Sequence, residues 1–326
     1  PRPPDAQGAS GSARPQELTR RADGLCRVRS PPSRSPAMDG VRDSEIHDVA
    51  LPDGRRLRVR AWPGRGRPLV LLHGLFDDAE GWGPLARDTR RPCWAVDLPG
   101  FGGSEGPTRP RVSAYAEDVV AGLDALAIGA CTVVGHSLGG AIAVAVAERS
   151  AAVRALAVLA PVGFGPIRLA DWMTLPGLVD LWELALPVAL VNPLTVSAAY
   201  ATFVAHRRLP SLDLMARLRR RAFRSGPGVR AATIAISAAG RSPRGFAHRA
   251  VAFDGPVAVV WGARDALVPT THIAALRRAL PQAHVEVWDG MGHHPQRERP
   301  VALARFIEHH ASRPRPRPRG VQATAA

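Results

Sequence analysis

Short apolar runs alternate along this chain with stretches of helical period. The apolar runs are Leu57 to Trp62, Pro68 to His73, Cys93 to Asp97, Cys131 to Val134, Ala155 to Leu159, Pro256 to Trp261 and His284 to Trp288. Pro68-Leu-Val-Leu-Leu-His73 is apolar without a break, as a strand covered on both faces requires. Between the runs, Ser113 to Leu126, Ala141 to Arg149, Thr271 to Leu280 and Pro300 to His310 carry helical spacing. Strand–helix alternation of this kind predicts an α/β fold, with a mostly parallel, doubly wound sheet of about eight strands. From about Phe164 to Phe246 the pattern turns helical, with Pro and Gly interruptions. Roughly 80 helical residues inside a strand-rich chain predict an inserted cap. The expected organisation is a first core part over 41–163, a helical cap over 164–246 and a second core part over 247–311.

The two ends read differently. Residues 1–40 are rich in Pro, Arg, Ser and Gly and show no period, so disorder is expected there. Met38 stands just before the first patterned stretch and is expected to be the natural start. Residues 312–326 open with alternating Arg and Pro, the composition of a solvated, disordered tail.

Composition adds limits. Hydrophobic residues make up 46% and charged residues 22%, ordinary for a globular protein. The net charge is +15, and all 43 basic residues are Arg. The two ends account for +8, and the remaining +7 reads as spread over the middle without a basic stripe. A coding bias explains the Arg, Ala, Gly and Pro abundance more simply than phosphate binding, so no nucleic-acid partner is expected. Cys26, Cys93 and Cys131 have no metal or redox spacing. Cys93 and Cys131 read as small buried hydrophobes, and a reducing cytoplasm fits. Leu175 to Val191 is apolar but broken by Asp180, Glu183 and Pro187, so no membrane span is expected, while a peripheral contact stays open. Nothing in the sequence sets the oligomeric state.

The chemistry concentrates at Gly135-His136-Ser137-Leu138-Gly139, which follows an apolar run and opens a helix of small residues. A tight strand-to-helix turn lifts its central side chain clear of a sheet, and the glycines let neighbouring backbone pass. A serine hydroxyl needs a base to remove its proton, and that base needs a carboxylate to hold it. Further segments stand in order: Leu72-His73-Gly74-Leu75, Asp97-Leu-Pro-Gly-Phe-Gly-Gly-Ser104, Trp261-Gly-Ala-Arg-Asp265, and Gly292-His293-His294-Pro295 with Glu298 and Pro300 beyond it. Together these resemble the oxyanion loop, turn, nucleophile elbow, acid segment and base segment of the α/β-hydrolase superfamily, in its serine esterase-like branch with a helical cap.

The resemblance implies a role for each residue. Ser137 is the nucleophile, His293 the general base and Asp265 its carboxylate. The backbone N–H groups of Leu75 and Leu138 form the oxyanion hole, and no cofactor or metal is called for. His73, Gly74, Gly135, His136 and Gly139 support the motifs, with both histidines architectural. His294 and Asp289 are rivals to His293 and Asp265, and the motif favours the latter pair. Asp97 reads as a turn residue accepting local backbone bonds, and Glu298 as ordering the segment after His293. A serine at the elbow argues against epoxide hydrolases and haloalkane dehalogenases, which use a carboxylate there. The cap's apolar set packs against the core or lines an acyl tunnel. Arg207, Arg208 and Arg217 to Arg221 read as a solvated helix face. The expected activity is cleavage of a hydrophobic carboxylic ester. Carbon–carbon bond hydrolysis, perhydrolase chemistry and a non-catalytic ligand receptor are the alternatives.

Overall fold

The computed structural model describes residues 43–106, 109–204, 209–222 and 226–311. The expectations for 1–40 and 312–326, for Cys26, Arg207 and Arg208, lie outside the described residues. Eight strands form one sheet: β1 (Glu45–Ala50), β2 (Arg56–Trp62), β3 (Leu69–Leu72), β4 (Cys93–Val96), β5 (Cys131–His136), β6 (Val153–Leu159), β7 (Val257–Gly262) and β8 (Ala283–Trp288). The order across the sheet is β1-β2-β4-β3-β5-β6-β7-β8. β2 pairs antiparallel with β1 and β4, and every pairing from β4 to β8 is parallel.

Eleven helices are described: α1 (Gly83–Asp88), α2 (Val112–Ala125), α3 (Leu138–Arg149), α4 (Arg168–Met173), α5 (Leu178–Val191), α6 (Pro193–Ala199), α7 (Leu212–Arg221), α8 (Gly226–Arg241), α9 (Ile273–Ala279), α10 (Pro295–Glu298) and α11 (Pro300–Ala311). Side chains alternate across each strand, so one strand feeds two cores. Val70, Leu72, Val133 and Val259 join one cluster with α2, α3 and α9. Leu69, Leu71, Val134 and Val260 join the other with α1 and α11. β3, β5 and β7 are buried at every position, which is why they appear in the sequence as unbroken apolar runs. Cys93 and Cys131 are buried free thiols within these layers.

The helices α4 to α8 form an insert between β6 and β7. After β3 the chain steps to β4 on one side, and after that to β5 on the other. The carboxyl ends of β3 and β5 therefore flank the point where the winding reverses, the usual crevice for a ligand in open α/β sheets. The middle +7 is not spread, contrary to the expectation. Residues 38–163 and 247–311 hold twenty-one Arg and as many carboxylates, whereas 164–246 hold eleven Arg against Asp171, Asp180, Glu183 and Asp213. The whole excess sits on the insert.

Candidate active site

β5 runs directly into Ser137, and α3 begins at Leu138. Ser137 has φ 54° and ψ −114°, a backbone region rarely open to residues with a side chain. Four backbone hydrogen bonds hold it there, one of them from Ala141 N–H to its carbonyl at 3.3 Å. Its N–H donates to the Leu159 carbonyl at 2.9 Å, and its own carbonyl accepts from Gly140 at 3.0 Å and Val162 at 3.2 Å. A Cβ at Gly135 would collide with the carbonyl of Gly139, and one at Gly139 with that of Leu72. Glycine is thus required for β3, β5 and α3 to approach this closely.

His293 follows β8, and its Nδ1–H donates to Asp265 Oδ2 at 2.7 Å. The other oxygen of Asp265 accepts the N–H groups of Leu267 and Val268, both at 2.9 Å. Trp261 Nε1 in turn donates to the Val268 carbonyl at 2.8 Å, fastening the loop that carries the carboxylate. The side chains of His293 and Asp265 are 4% and 0% exposed. With Nδ1 protonated toward Asp265, the Nε2 lone pair is left to accept a proton. Glu298 accepts from Gly292 and His294 N–H at 3.1 and 3.3 Å, ordering the turn as expected. His136 Nε2–H donates to the His293 carbonyl at 2.8 Å, tying that turn to the elbow. Ser137 Oγ itself makes no hydrogen bond among the described residues. In unliganded sites this contact is commonly long and tightens with substrate.

The loop after β3 lies against the elbow. A Cβ on Gly74 would stand 2.9 Å from His136 Nδ1 and 3.1 Å from Ser137 Cβ, so this residue admits little more than hydrogen. Leu75 follows it, and Leu138 opens α3, where an N–H has no acceptor within the helix. His73 is fully engaged: Nδ1–H donates to the Gly74 carbonyl at 2.8 Å, and Nε2 accepts from Leu98 N–H at 2.9 Å. Asp97 accepts from Gly103 N–H in its own turn at 2.7 Å. It also accepts from Ala79 N–H across the loop at 2.7 Å, a longer reach than a purely local role.

Burial and mutual repulsion favour the neutral form of the imidazoles around the base. Burial, then the nearby His293, holds the His136 imidazole well below its ordinary value. Burial, then His136 and His293, does the same to His294. The ring centroids of His136 lie 4.7 Å from His293 and 4.5 Å from His294, so a second positive charge is strongly opposed. His272 is also lowered by its burial, with Asp265 pulling the other way. Asp97 is raised by burial against its two backbone donors. Of the rivals, Asp289 is exposed, and His294 Nδ1 meets Gln296 Nε2 at 3.4 Å.

One expectation holds only in part: Arg219 and Arg220 are exposed, whereas Arg217 is buried. Arg217 is not on a solvated face: it is 4% exposed and reaches from α7 to the oxyanion loop. Its guanidinium stands 3.1 Å from Asp78 and 3.6 Å from Asp77, and bonds Asp213 at 3.0 Å. Arg297 closes the group through Asp77 at 2.5 Å. Asp77, Asp78 and Arg297 went unrecognised in the sequence. A signal existed for Arg217, since Leu214 and Leu218 flank it at helical spacing and mark the buried stripe. A cleft runs between loop and insert, lined by Phe76, Phe101, Leu190, Leu214, Leu218 and the Asp78–Arg217 pair. Neither Ser137 nor His293 lines it. Metal-ligating types gather elsewhere, where His284, Glu286 and His310 bring ligand atoms within 4.8 Å of one another on β8 and α11.

The chain is similar to several known proteins. A dihydrolipoyllysine-residue acetyltransferase component of an acetoin cleaving system, from Pseudomonas putida, is 31% identical over 250 residues. That match covers 75% of this chain and 64% of the relative, so the chain spans less than two thirds of its length. A 2-hydroxymuconate semialdehyde hydrolase from Pseudomonas putida is 28% identical over 258 residues, covering 75% of this chain and 87% of that one. Among solved structures, a membrane phospholipase A superposes with TM-score 0.64 at 25% identity, over 82% of this chain and 85% of the other. The model of the alpha/beta hydrolase fold family matches residues 67–300, and the chain belongs to that family.

Proposed function

We propose that this chain is a serine hydrolase that cleaves a hydrophobic carboxylic ester through an acyl-enzyme intermediate on Ser137. The observation that carries this reading is the strained elbow serine beside a buried His293–Asp265 pair. Ser137 Oγ attacks the carbonyl carbon as His293 Nε2 takes its proton. Asp265, held by two backbone donors, fixes the tautomer and stabilises the imidazolium. The N–H groups of Leu75 and Leu138 receive the oxyanion, and loss of one such donor typically costs about 3 kcal/mol. His293 then protonates the leaving alcohol, and water repeats the sequence to release the acid. The likeness to a phospholipase favours an ester with a hydrocarbon chain. The buried free thiols favour a reducing cytoplasm.

A fluorophosphonate probe is expected to label Ser137 in the folded protein and to miss the Ser137→Ala variant. An unlabelled Ser137 would favour a ligand receptor instead. A series of p-nitrophenyl esters is expected to give rising kcat/KM beyond acetate, and a falling response would remove the acyl-chain assignment. The likeness to the semialdehyde hydrolase supports a second reading, carbon–carbon bond hydrolysis by the same three residues. Product analysis with an ester and a vinylogous diketone separates the two.

A further inference from the structure

α5 is apolar at every position except Asp180 and Glu183. Its inner face carries Leu186, which is buried, and Leu190 one turn on, which lines the cleft beside Phe76. Its outer face carries Leu181, Leu184 and Val188, spaced three and four residues apart so that they form one stripe. These are 59%, 77% and 67% exposed. An apolar stripe left this open to water marks a surface for lipid or for another protein. Trp172 on α4 and Leu194 on α6 extend the patch, and both helices pack against α5. The charged residues of α5 are Asp180 and Glu183, and Arg230 of α8 pairs with both, at 3.2 and 3.3 Å. One guanidinium thus serves two carboxylates, so a single net negative charge stays beside the stripe, against the arginine excess of the insert as a whole.

The occupant is chosen by charge. The insert holds the entire +7 of the middle of the chain, and Arg168, Arg219 and Arg241 are exposed on it. A second copy would set this excess against itself, whereas an anionic bilayer attracts it. Length decides the mode of contact. The fourteen residues of α5 extend about 21 Å, short of the roughly 30 Å hydrocarbon layer. The helical segment that follows turns away by 104°, and no single helix among the described residues is long and apolar enough to cross a membrane. We propose that the outer face of the insert docks on an anionic membrane surface. Leu181, Leu184, Val188 and Leu194 enter the acyl boundary, and the insert's arginines meet the lipid headgroups.

Co-sedimentation of the full chain with vesicles tests this. The Ser137→Ala variant serves as parent, so that binding is read without hydrolysis and stands apart from the catalytic reading. Vesicles of phosphatidylcholine with about 30 mol % phosphatidylglycerol are expected to bind it roughly tenfold more tightly than phosphatidylcholine alone. Added salt is expected to weaken that preference. Leu184→Glu with Val188→Glu is expected to cut binding about tenfold or more while leaving the thermal melt in place. With Ser137 restored, the same pair of changes should leave fluorophosphonate labelling unaltered. Equal binding by parent and double variant, or no binding to anionic vesicles, overturns the proposal. So does a concentration-dependent dimer that the two substitutions disperse, which would assign the stripe to a second copy.

Discussion

In the core, β3, β5 and β7 are buried at every position, and the charges of residues 38–163 and 247–311 cancel. In the insert, α5 buries Leu186 alone among fourteen residues, and arginines outnumber carboxylates eleven to four. The triad candidates and the hydrogen bonds that hold them belong to the first region. The second joins the loop beside the elbow through Arg217, a buried cation between Asp77 and Asp78. Chemistry and access are thus carried by parts of different physical character. The core assembles the candidate catalytic groups by backbone bonds and close-packed glycines. The insert can change its outer surface without disturbing them.

The sharpest way to break this division is Ser137→Ala, a change within the core. A loss of about ten-thousandfold or more in kcat on a p-nitrophenyl ester is expected, with the unfolding midpoint unchanged. A residual rate near that of the parent would place the chemistry elsewhere. Next comes the seam, where Arg217→Met removes the buried guanidinium that Asp77, Asp78 and Asp213 share. Such a loss costs about 3 kcal/mol, and it should appear in urea unfolding together with faster proteolysis inside 164–246. A variant as stable as the parent would mean that insert and core are not joined there.

A third test uses acid. His136 and His294 resist protonation when folded, while in the unfolded chain they titrate near 6.5. The unfolded state therefore binds more protons below that pH, so their contribution is complete above 6.5 and lost as pH falls beneath it. The slope is at most about 1.4 kcal/mol per pH unit for each histidine, and His136→Asn should flatten it by one such increment. An unchanged slope would show that the elbow imidazole is not held neutral. The smallest effect belongs to the outer face: Leu184→Glu alone should shift unfolding free energy by no more than about 0.5 kcal/mol in water.

The same contrast explains what the chain reveals as text. β3, β5 and β7 could be found because strands covered on both sides are apolar throughout, and the elbow because Gly135 and Gly139 have no substitute at that spacing. β5 extends to His136 and α3 begins at Leu138, ends that sharp turn chemistry hides from periodicity. β1 was missed because Glu45 to Ala50 lies at the sheet edge, with a single buried position. α1 was missed because six residues span less than two turns. In the insert, helical character was plain but partners were not. A run of arginines looks solvated until the turn of α7 aligns Arg217 with Leu214 and Leu218, and the two aspartates it meets lie some 140 residues earlier in the chain.

The hydrogen bond from His136 to the His293 carbonyl joins positions 157 residues apart in the chain, yet each partner is, or adjoins, a candidate catalytic side chain. A thermal excursion of the histidine turn must drag the serine with it, so their separation fluctuates less than either location does. Insertions after Trp288 are correspondingly constrained: the connecting segment can lengthen only where that carbonyl still returns to the same imidazole.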